Sequence, residues 1–251
     1  MENQPADLTV RVLVTGASQG IGKAIFLALA GSGHSVLGLS RTKPEELAEP
    51  ARTSDYLDWQ QLDLSKAAEV EQCAASLEPM AIRALILCAV DYGPGGRHPA
   101  AAISAQEWQQ VVGTNCIGHC ILVSRLLRKL ITNSPGIIIN ISSDVAILPA
   151  AGRAAYAASK AGLHAMLRAV AAENPIDCLR VYQLIPTFQM VTSGIRRRRP
   201  SGFDFSSYVD PALLAQVVQG ILSPSGTSIA PGAYLVRGDG TLEPHAEATN
   251  I

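Results

Sequence analysis

Short apolar runs alternate along the chain with longer stretches in which apolar residues recur every three to four positions. The runs are typical of strands buried on both faces, and the longer stretches are typical of amphipathic helices. The runs predict strands at residues 8–15, 35–40, 56–62, 82–90, 136–141, 179–185 and 233–237. The helical pattern predicts helices at residues 20–32, 65–76, 105–132, 156–174 and 211–222. Ser65 and Ser104 are the predicted N-caps of the second and third helices.

This alternation of strands and helices predicts an α/β fold, a single-domain doubly wound (Rossmann-type) parallel sheet with helices on both faces. We expect one domain over residues 1–251, because no repeat or linker interrupts the pattern. Right-handed crossovers place a ligand crevice at the carboxyl ends of the strands. The irregular segment 192–210 is expected to form a lid over the substrate.

Composition agrees with this fold and excludes several classes of partner. Hydrophobic residues make up 48% of the chain and charged residues only 16%, which suits a sheet covered on both faces. The net charge of −1 predicts no nucleic-acid partner. No apolar run reaches the ~18 residues that span a membrane, and the polar residues 1–7 argue against a signal peptide. We therefore expect a cytoplasmic protein without a membrane partner.

The five cysteines lack Cys-x-x-Cys spacing, which favours free thiols over disulfides. Cys116, His119 and Cys120 are close in sequence, but His119 and Cys120 are adjacent and project in different directions from a helix. We expect no metal site.

A glycine-rich turn, Thr15-Gly-Ala-Ser-Gln-Gly-Ile-Gly22, follows the first predicted strand and opens the first predicted helix. Glycines allow a backbone to turn sharply and to approach a pyrophosphate closely. The N-terminus of the helix offers free N–H groups and a partial positive charge. This strand–turn–helix context predicts a nucleotide site.

A second motif, Tyr156-Ala-Ala-Ser-Lys160, places a phenol and an ammonium group four residues apart on one face of a helix. A neighbouring Lys⁺ favours a phenolate and lowers the pKa of tyrosine. Ser143 stands thirteen residues before Tyr156, just after a predicted strand. A hydroxyl, a phenol and an amine that converge at a strand end form a proton-transfer site.

Together these motifs resemble those of the short-chain dehydrogenase/reductase family, in its branch of roughly 250 residues. The resemblance covers nearly the whole chain and rests on the glycine-rich turn, Asp63, Asn115, Ser143, Tyr156 and Lys160, in that order. It implies that Tyr156 is the general acid in carbonyl reduction and that Lys160 tunes it and holds the nicotinamide ribose. It also implies that Ser143, rather than Ser142, binds the substrate carbonyl.

The resemblance further implies that Asn115 interrupts its helix and holds a proton-relay water, and that Asp63 faces the adenine. The implied cofactor contacts are Thr15, Gly16, Ser18, Gln19, Gly20, Ile21, Gly22, Ser40, Arg41, Asp63, Leu64, Ala89, Tyr156, Lys160 and Pro186. A carboxylate after the second strand would favour NAD(H), whereas arginine accommodates the 2′-phosphate of NADP(H). Ser40 and Arg41 occupy this place, so NADP(H) is the predicted cofactor and NAD(H) the less favoured alternative.

Three segments depart from the family pattern. Cys88 and Val90 replace an asparagine and a glycine after the fourth strand, so an amide that braces the central strands is lost. Thr187 replaces a glycine after Pro186, and Thr192 is displaced by one position from the usual threonine. These changes leave open a non-redox use of the scaffold, as an epimerase or dehydratase, or a nucleotide-sensing protein without turnover.

The substrate itself remains open at this stage. The run Arg196-Arg-Arg-Arg199 is either a solvated face or a site for an acidic or carrier-linked substrate. The predicted activity is NADP(H)-dependent reduction of a ketone, or oxidation of the corresponding secondary alcohol. Family members commonly pair their long helices, so the resemblance also implies a homodimer or homotetramer.

Overall fold

The computed structural model describes residues 10–47, 56–94, 97–133 and 135–245, and an eight-stranded sheet runs through them. The strand order is β3-β2-β1-β4-β5-β6-β7-β8, with every pair parallel except β7 and β8. The strands are β1 (Val10–Thr15), β2 (Ser35–Ser40), β3 (Leu57–Gln61), β4 (Ala81–Leu87), β5 (Gly136–Ile141), β6 (Leu179–Pro186), β7 (Gly232–Val236) and β8 (Leu242–Pro244).

Helices cover both faces of the sheet. They are α1 (Gly20–Gly31), α2 (Ala67–Ser76), α3 (Ala105–Val112), α4 (Gly118–Thr132), α5 (Ala154–Glu173), α6 (Ser193–Arg197) and α7 (Ala212–Leu222). Helices α1 and α7 pack on one face, and α2, α4 and α5 pack on the other. The predicted doubly wound α/β fold is therefore confirmed.

The alternation of side chains along the strands builds these two cores. Val12 and Val14 of β1 point into the core beneath α1 and α7, whereas Leu13 points into the core beneath α2 and α4. Successive residues of a strand face opposite sides of a sheet, so a strand buried on both sides must be apolar throughout. This requirement explains why the strands read as continuous apolar runs rather than as alternating patterns.

Several predicted boundaries are wrong, and each has a local cause. The second helix begins at Ala67 rather than Ser65, because the Ser65 N–H (3.0 Å) and hydroxyl (2.7 Å) both donate to Asp63 Oδ1 in a turn that precedes the helix. The predicted helix 105–132 is interrupted by one π-helical turn, Gly113–Ile117. Strand β8 and helix α6 lack a strong apolar pattern and were not predicted. Residues 8 and 9 of the first predicted strand lie outside the described residues, as do residues 1–7.

No helix within the described ranges combines the length and apolarity needed to cross a bilayer. The strand order changes direction between β1 and β4. The connections from these two strands therefore run to opposite sides of the sheet and leave a gap between them. In an open parallel sheet this switch point forms the ligand crevice.

Helix α4 packs closely against the loop after β3. Its first residue, Gly118, has no room for a side chain. A Cβ atom on Gly118 would lie 2.1 Å from the carbonyl oxygen of Leu64. The backbone of Gly118 is helical (φ −60°, ψ −41°), so alanine could adopt its conformation. The glycine is therefore required by packing and not by backbone freedom.

Replacing Gly118 by alanine should lower the free energy of unfolding by about 1–3 kcal/mol, since backbone atoms must shift to admit the methyl group. The matched control is Gly220→Ala in α7, where no atom lies within 4 Å of the added methyl group. The control should stabilise the protein by about 0.5–1 kcal/mol, because it removes the entropic cost of glycine in a helix. Urea denaturation measures both changes, and equal effects would contradict this account.

Candidate active site

The residues singled out from the sequence converge at the carboxyl ends of β1, β4 and β5. Tyr156 and Lys160 lie in the first turns of α5 and are only 7% and 3% exposed. Ser143 follows β5, and the residues after β4 complete the wall of the crevice. The fold thus brings together the hydroxyl, phenol and amine that lie on separate elements in the sequence.

The Tyr156 hydroxyl has two hydroxyl neighbours, Ser143 and Tyr92, and both affect its pKa. The rings of Tyr92 and Tyr156 pack with centroids 4.9 Å apart and planes tilted by 41°. Burial raises the pKa of Tyr156 well above its usual value, and the adjacent Tyr92 raises it further. The expected lowering of this pKa by Lys160 is therefore not found, because desolvation dominates.

Ser143 and Ser142 differ clearly in their surroundings. The Ser143 hydroxyl donates to Asp144 Oδ1 (2.8 Å), and it acts to lower the pKa of Tyr156. Ser142 is buried, and its hydroxyl has no hydrogen-bond partner among the described residues. Of the two serines, Ser143 is the one that acts on the Tyr156 hydroxyl.

Lys160 donates from Nζ to the carbonyl oxygen of Ile141 (2.9 Å) at the end of β5. Burial lowers its pKa to about 8, partly offset by Cys88. A lysine with this pKa is still mostly protonated at neutral pH. The side chain thus forms a buried cation with only one protein partner among the described residues.

Asn115 lies in the π-helical turn, where its side-chain amide makes three hydrogen bonds to protein atoms. Its Oδ1 accepts from the backbone N–H of Asp91 (2.7 Å). Its Nδ2 donates to the Asp91 carbonyl oxygen (2.8 Å) and to Ser159 Oγ (3.0 Å). Ser159 in turn donates to the carbonyl oxygen of Tyr156 (2.7 Å). The amide therefore joins the loop after β4 to the first turn of α5.

Thr15 at the end of β1 joins this strand to β4. Its hydroxyl accepts from the backbone N–H groups of Cys88 (2.9 Å) and Ala89 (3.1 Å). His119 Nδ1 donates to the Asn115 carbonyl oxygen (3.2 Å), so its Nε2 accepts from the Thr15 hydroxyl (3.0 Å). Burial lowers the pKa of His119 to about 4, which keeps the ring neutral.

This arrangement replaces the brace that Cys88 cannot provide. His119 was considered from the sequence only as a metal ligand, although its position one turn after Asn115 places it on the inward face of α4. The ring is 1% exposed and faces the sheet.

The glycine-rich turn fits a pyrophosphate. Gly16 has a φ of +74°, and a Cβ atom there would lie 2.8 Å from the Cα atom of Ala89. A Cβ atom on Gly22 would lie 2.3 Å from the carbonyl oxygen of Gly16. Helix α1 has no side-chain N-cap and no acidic residue in its first turn, so its N–H groups can bind an anion. Ser18, Gln19, Gly20 and Ile21 complete the turn.

At the other end of the crevice, the neighbouring residues Ser40 and Arg41 differ in exposure and in their contacts. The Ser40 hydroxyl is buried, accepts from Trp59 Nε1 (2.9 Å) and donates to the Thr42 carbonyl oxygen (2.8 Å). Its side chain is therefore not free to contact a cofactor. The Arg41 side chain is 56% exposed, and its Nη1 lies 4.0 Å from Asp91 Oδ2, across the mouth of the crevice.

Asp63 lies near Arg41 and accepts two hydrogen bonds from Ser65. Partial burial acts to raise its pKa, but the Ser65 hydrogen bonds and the charge of Arg41 lower it overall. The next residue, Leu64, is buried in the core beneath α4. Asp63 is thus an ionised carboxylate next to an arginine, at the end where an adenosine would lie.

The substitutions after β6 are accommodated. Thr187 follows Pro186, and its N–H (3.1 Å) and hydroxyl (3.0 Å) both donate to the Val236 carbonyl oxygen. No non-glycine residue in the described ranges has a positive φ, so Thr187 does not need the freedom of glycine. Thr192 caps α6 by accepting from the N–H of Ile195 (3.2 Å), and it lies beside Gly20.

The four consecutive arginines point in different directions. Arg196 and Arg199 stack on Phe205 and Phe203 within the segment 192–210. Arg197 donates to Gln19 Oε1 (2.8 Å) in the glycine-rich turn. Arg198 lies over the ring of Tyr92, 4.6 Å from its centroid. The run is therefore not a uniform solvated face.

Two residues of the crevice were not assigned a role from the sequence. Tyr92 follows β4 within an irregular segment, where no pattern predicts side-chain direction. Arg153 lies three residues before Tyr156, and its Cζ is 5.9 Å from the Tyr156 ring centroid. One helical turn of spacing is the signal that could have indicated Arg153.

Comparisons with known proteins agree with this geometry. The profile of the family described as short chain dehydrogenase matches residues 10–200. The L-xylulose reductase of Caenorhabditis elegans is 31% identical over 188 residues, which is 73% of each chain. A 3-oxoacyl-[acyl-carrier-protein] reductase of Rickettsia bellii (strain RML369-C) is 31% identical over 70% of this chain and 71% of its own.

The fold is also shared with solved structures. A metagenomic short-chain oxidoreductase in complex with NADP is 26% identical, with a TM-score of 0.74 over 94% of this chain and 98% of its own. The profile match covers most of the chain, and its range contains the glycine-rich turn, Ser143, Tyr156 and Lys160. The chain therefore belongs to the short chain dehydrogenase family, and it is an oxidoreductase of a family that uses a nicotinamide cofactor.

Proposed function

We propose that this protein reduces a ketone, or oxidises the corresponding secondary alcohol, with NADP(H) as its cofactor. The observation that carries the proposal is the convergence in the crevice of the Tyr156 and Ser143 hydroxyl groups and the buried Lys160. A protein that only sensed nucleotides would need no proton donor there. Two altered residues left a non-redox reaction open. Thr187 bonds to the Val236 carbonyl oxygen through its hydroxyl, and Cys88 bonds to the Thr15 hydroxyl through its backbone N–H.

In the reductive direction, Tyr156 donates its hydroxyl proton to the carbonyl oxygen. Its raised pKa keeps the phenol protonated at neutral pH, as a general acid requires. Ser143 stabilises the charge that develops on this oxygen. To do so, its hydroxyl turns from Asp144 towards the substrate, because it has only one hydrogen to donate.

The cofactor, when bound, supplies or accepts the hydride. The free N–H groups at the start of α1 would hold its pyrophosphate, and Lys160 would bind the nicotinamide ribose. After Tyr156 has given up its proton, a phenolate is left in a buried site. The nearby cation of Lys160 offsets the cost of this charge.

Arg41 is the residue proposed to select NADP(H). It is more than half exposed at the end of β2, and its only described ionic contact, with Asp91, is long at 4.0 Å. The guanidinium can therefore turn to a 2′-phosphate with little loss. The solved relative that carries NADP in its title is consistent with this choice.

We also propose that the chain is one domain whose segment 192–210 covers the substrate, and that it assembles as a homodimer or homotetramer. Short parallel pairing between Met190 and Val209 joins the two ends of the segment. The outer face of α5 exposes three alanines one turn apart, Ala165, Ala169 and Ala172, which would allow a second copy to approach closely.

The substitution Tyr156→Phe should reduce kcat for NADPH-dependent ketone reduction by about 10²- to 10⁴-fold, because it removes the proton donor and leaves the ring in place. The Kd for NADPH, measured by fluorescence titration, should stay unchanged. An activity within a few-fold of the unsubstituted protein would refute the assignment of Tyr156.

The substitution Arg41→Ala should weaken NADPH binding by about 10- to 100-fold, the value of one charge-assisted contact. NADH binding should change little, since NADH lacks the 2′-phosphate. The control is Arg125→Ala, which removes the same charge from an exposed ion pair with Glu71 (2.6 Å). Equal kcat/KM values with NADPH and NADH in the unsubstituted protein would contradict the cofactor assignment.

The affinity for NADPH should depend on pH through Lys160. Because the pKa of this lysine is lowered to about 8, the cation is present below pH 8 and lost as the pH rises through it. We therefore expect NADPH binding to weaken by about tenfold between pH 7 and pH 9, the size of one contact to a charged group. NADPH binding to the Lys160→Met variant should not depend on pH in this range. If the pH dependence persists in this variant, it arises from another group.

A further inference from the structure

Two arginine side chains lie against the tyrosine pair of the crevice. The Cζ of Arg198 is 4.6 Å from the Tyr92 ring centroid, and that of Arg153 is 5.9 Å from the Tyr156 ring centroid. The charges of both arginines lower the pKa of Tyr92, against a larger rise caused by burial. Both cations therefore lie against the tyrosine pair beside which the proposed substrate carbonyl would bind.

Neither of these two guanidinium groups is paired with a carboxylate in the part of the chain that the structure describes. Other arginines have close acidic partners, as Arg125 has in Glu71 and Arg237 in Glu243. The Nε atom of Arg153 is buried and has no hydrogen-bond partner among the described residues. A buried donor of a charged group without a partner is costly, and an anionic ligand would satisfy it.

Two acidic residues of the crevice, Asp144 and Asp91, already accept hydrogen bonds from other groups. Asp144 accepts from Ser143 and from the N–H of Val145 (2.9 Å). Asp91 accepts from the N–H of Gly93 (2.8 Å) and from Gln110 (3.2 Å), and it lies near Arg41. The two arginines beside the tyrosines thus keep their positive charge available for a ligand.

We propose that the substrate is a ketone that carries a carboxylate, and that Arg153 and Arg198 bind this carboxylate while the carbonyl faces Tyr156. The inference rests on the proposed function, since it specifies the substrate of that reaction. A guanidinium group matches a carboxylate with two parallel hydrogen bonds, which would fix the direction of the carbonyl.

The position of the arginines favours a small keto acid over a carrier-linked substrate. Both guanidinium groups lie within 6 Å of the tyrosine rings. They can therefore reach an anionic group only a few bonds from the carbonyl. The phosphate of a carrier arm lies far along the chain from the reacting thioester, beyond this distance.

The test compares keto acids with their methyl esters, which lack the negative charge and carry one additional methyl group. NADPH oxidation by the unsubstituted protein is measured with acetoacetate and methyl acetoacetate, and with 4-oxopentanoate and its methyl ester. The acid of at least one pair should have the higher kcat/KM by about 10-fold or more, mainly through a lower KM. A ratio of one or less in both pairs would overturn the proposal.

The variants Arg198→Gln and Arg153→Gln should each reduce the acid-to-ester ratio of kcat/KM by about 10- to 100-fold. The control Arg196→Gln removes the same charge from the same lid, where the side chain stacks on Phe205, and should keep the ratio. Loss of both activities in parallel, with an unchanged ratio, would show a structural role and overturn the proposal. If a variant does not fold, as judged by its melting temperature, the substrate comparison in the unsubstituted protein still decides.

Acetoacetyl-coenzyme A provides the third arm of the test. If it is reduced with a higher kcat/KM than every free acid, the substrate is carrier-linked and this inference is wrong. Tyr156-dependent reduction of neutral ketones without any preference for acids would overturn this inference alone. The absence of Tyr156-dependent NADPH oxidation with every ketone would overturn the proposed function itself.

Discussion

The hydroxyl group of Thr15 holds together the two strands on which the whole crevice depends. It accepts two backbone N–H groups after β4 and donates to His119, so β1 and β4 end at the same level. The glycine-rich turn begins immediately after this residue, and the loop bearing Tyr92 begins immediately after its partners. A shift between β1 and β4 would therefore move the cofactor side and the substrate side of the crevice against each other.

Burial then sets the charge states within the crevice, and it acts in opposite directions on its two central groups. Desolvation disfavours the charged form, so it raises the pKa of the tyrosine and lowers that of the lysine. Tyr156 is therefore a neutral acid, and Lys160 is a cation that loses its proton more easily than an exposed lysine. A ligand that brings negative charge will shift both groups, which is why the surrounding arginines matter for the chemistry.

The fold was predictable from the sequence because buried parallel strands leave a strong apolar signal, as in β1 and β5. The positions of Tyr156, Lys160 and Ser143 were predictable because their spacing is local or fixed by one strand–helix unit. The directions of the Tyr92 and Arg198 side chains were not predictable from the sequence. Both residues belong to irregular segments, where tertiary contacts orient the side chains. His119 was missed for a related reason: its partner Thr15 is 104 residues away, and only the folded sheet brings them together.

The arginine run shows how identical residues can have unequal consequences. Along residues 196–199 the side chains reach, in turn, an aromatic ring, the glycine-rich turn, the Tyr92 ring and a second aromatic ring. Helix α6 ends at Arg197, so the four side chains leave the backbone in different directions at the end of the helix and after it. Deleting one arginine would leave the composition almost unchanged, yet it would exchange the cation that reaches the crevice for one that now faces elsewhere. The position of each arginine therefore decides what its side chain contacts. A substitution that preserves charge should disturb these contacts less than a deletion or insertion of one residue.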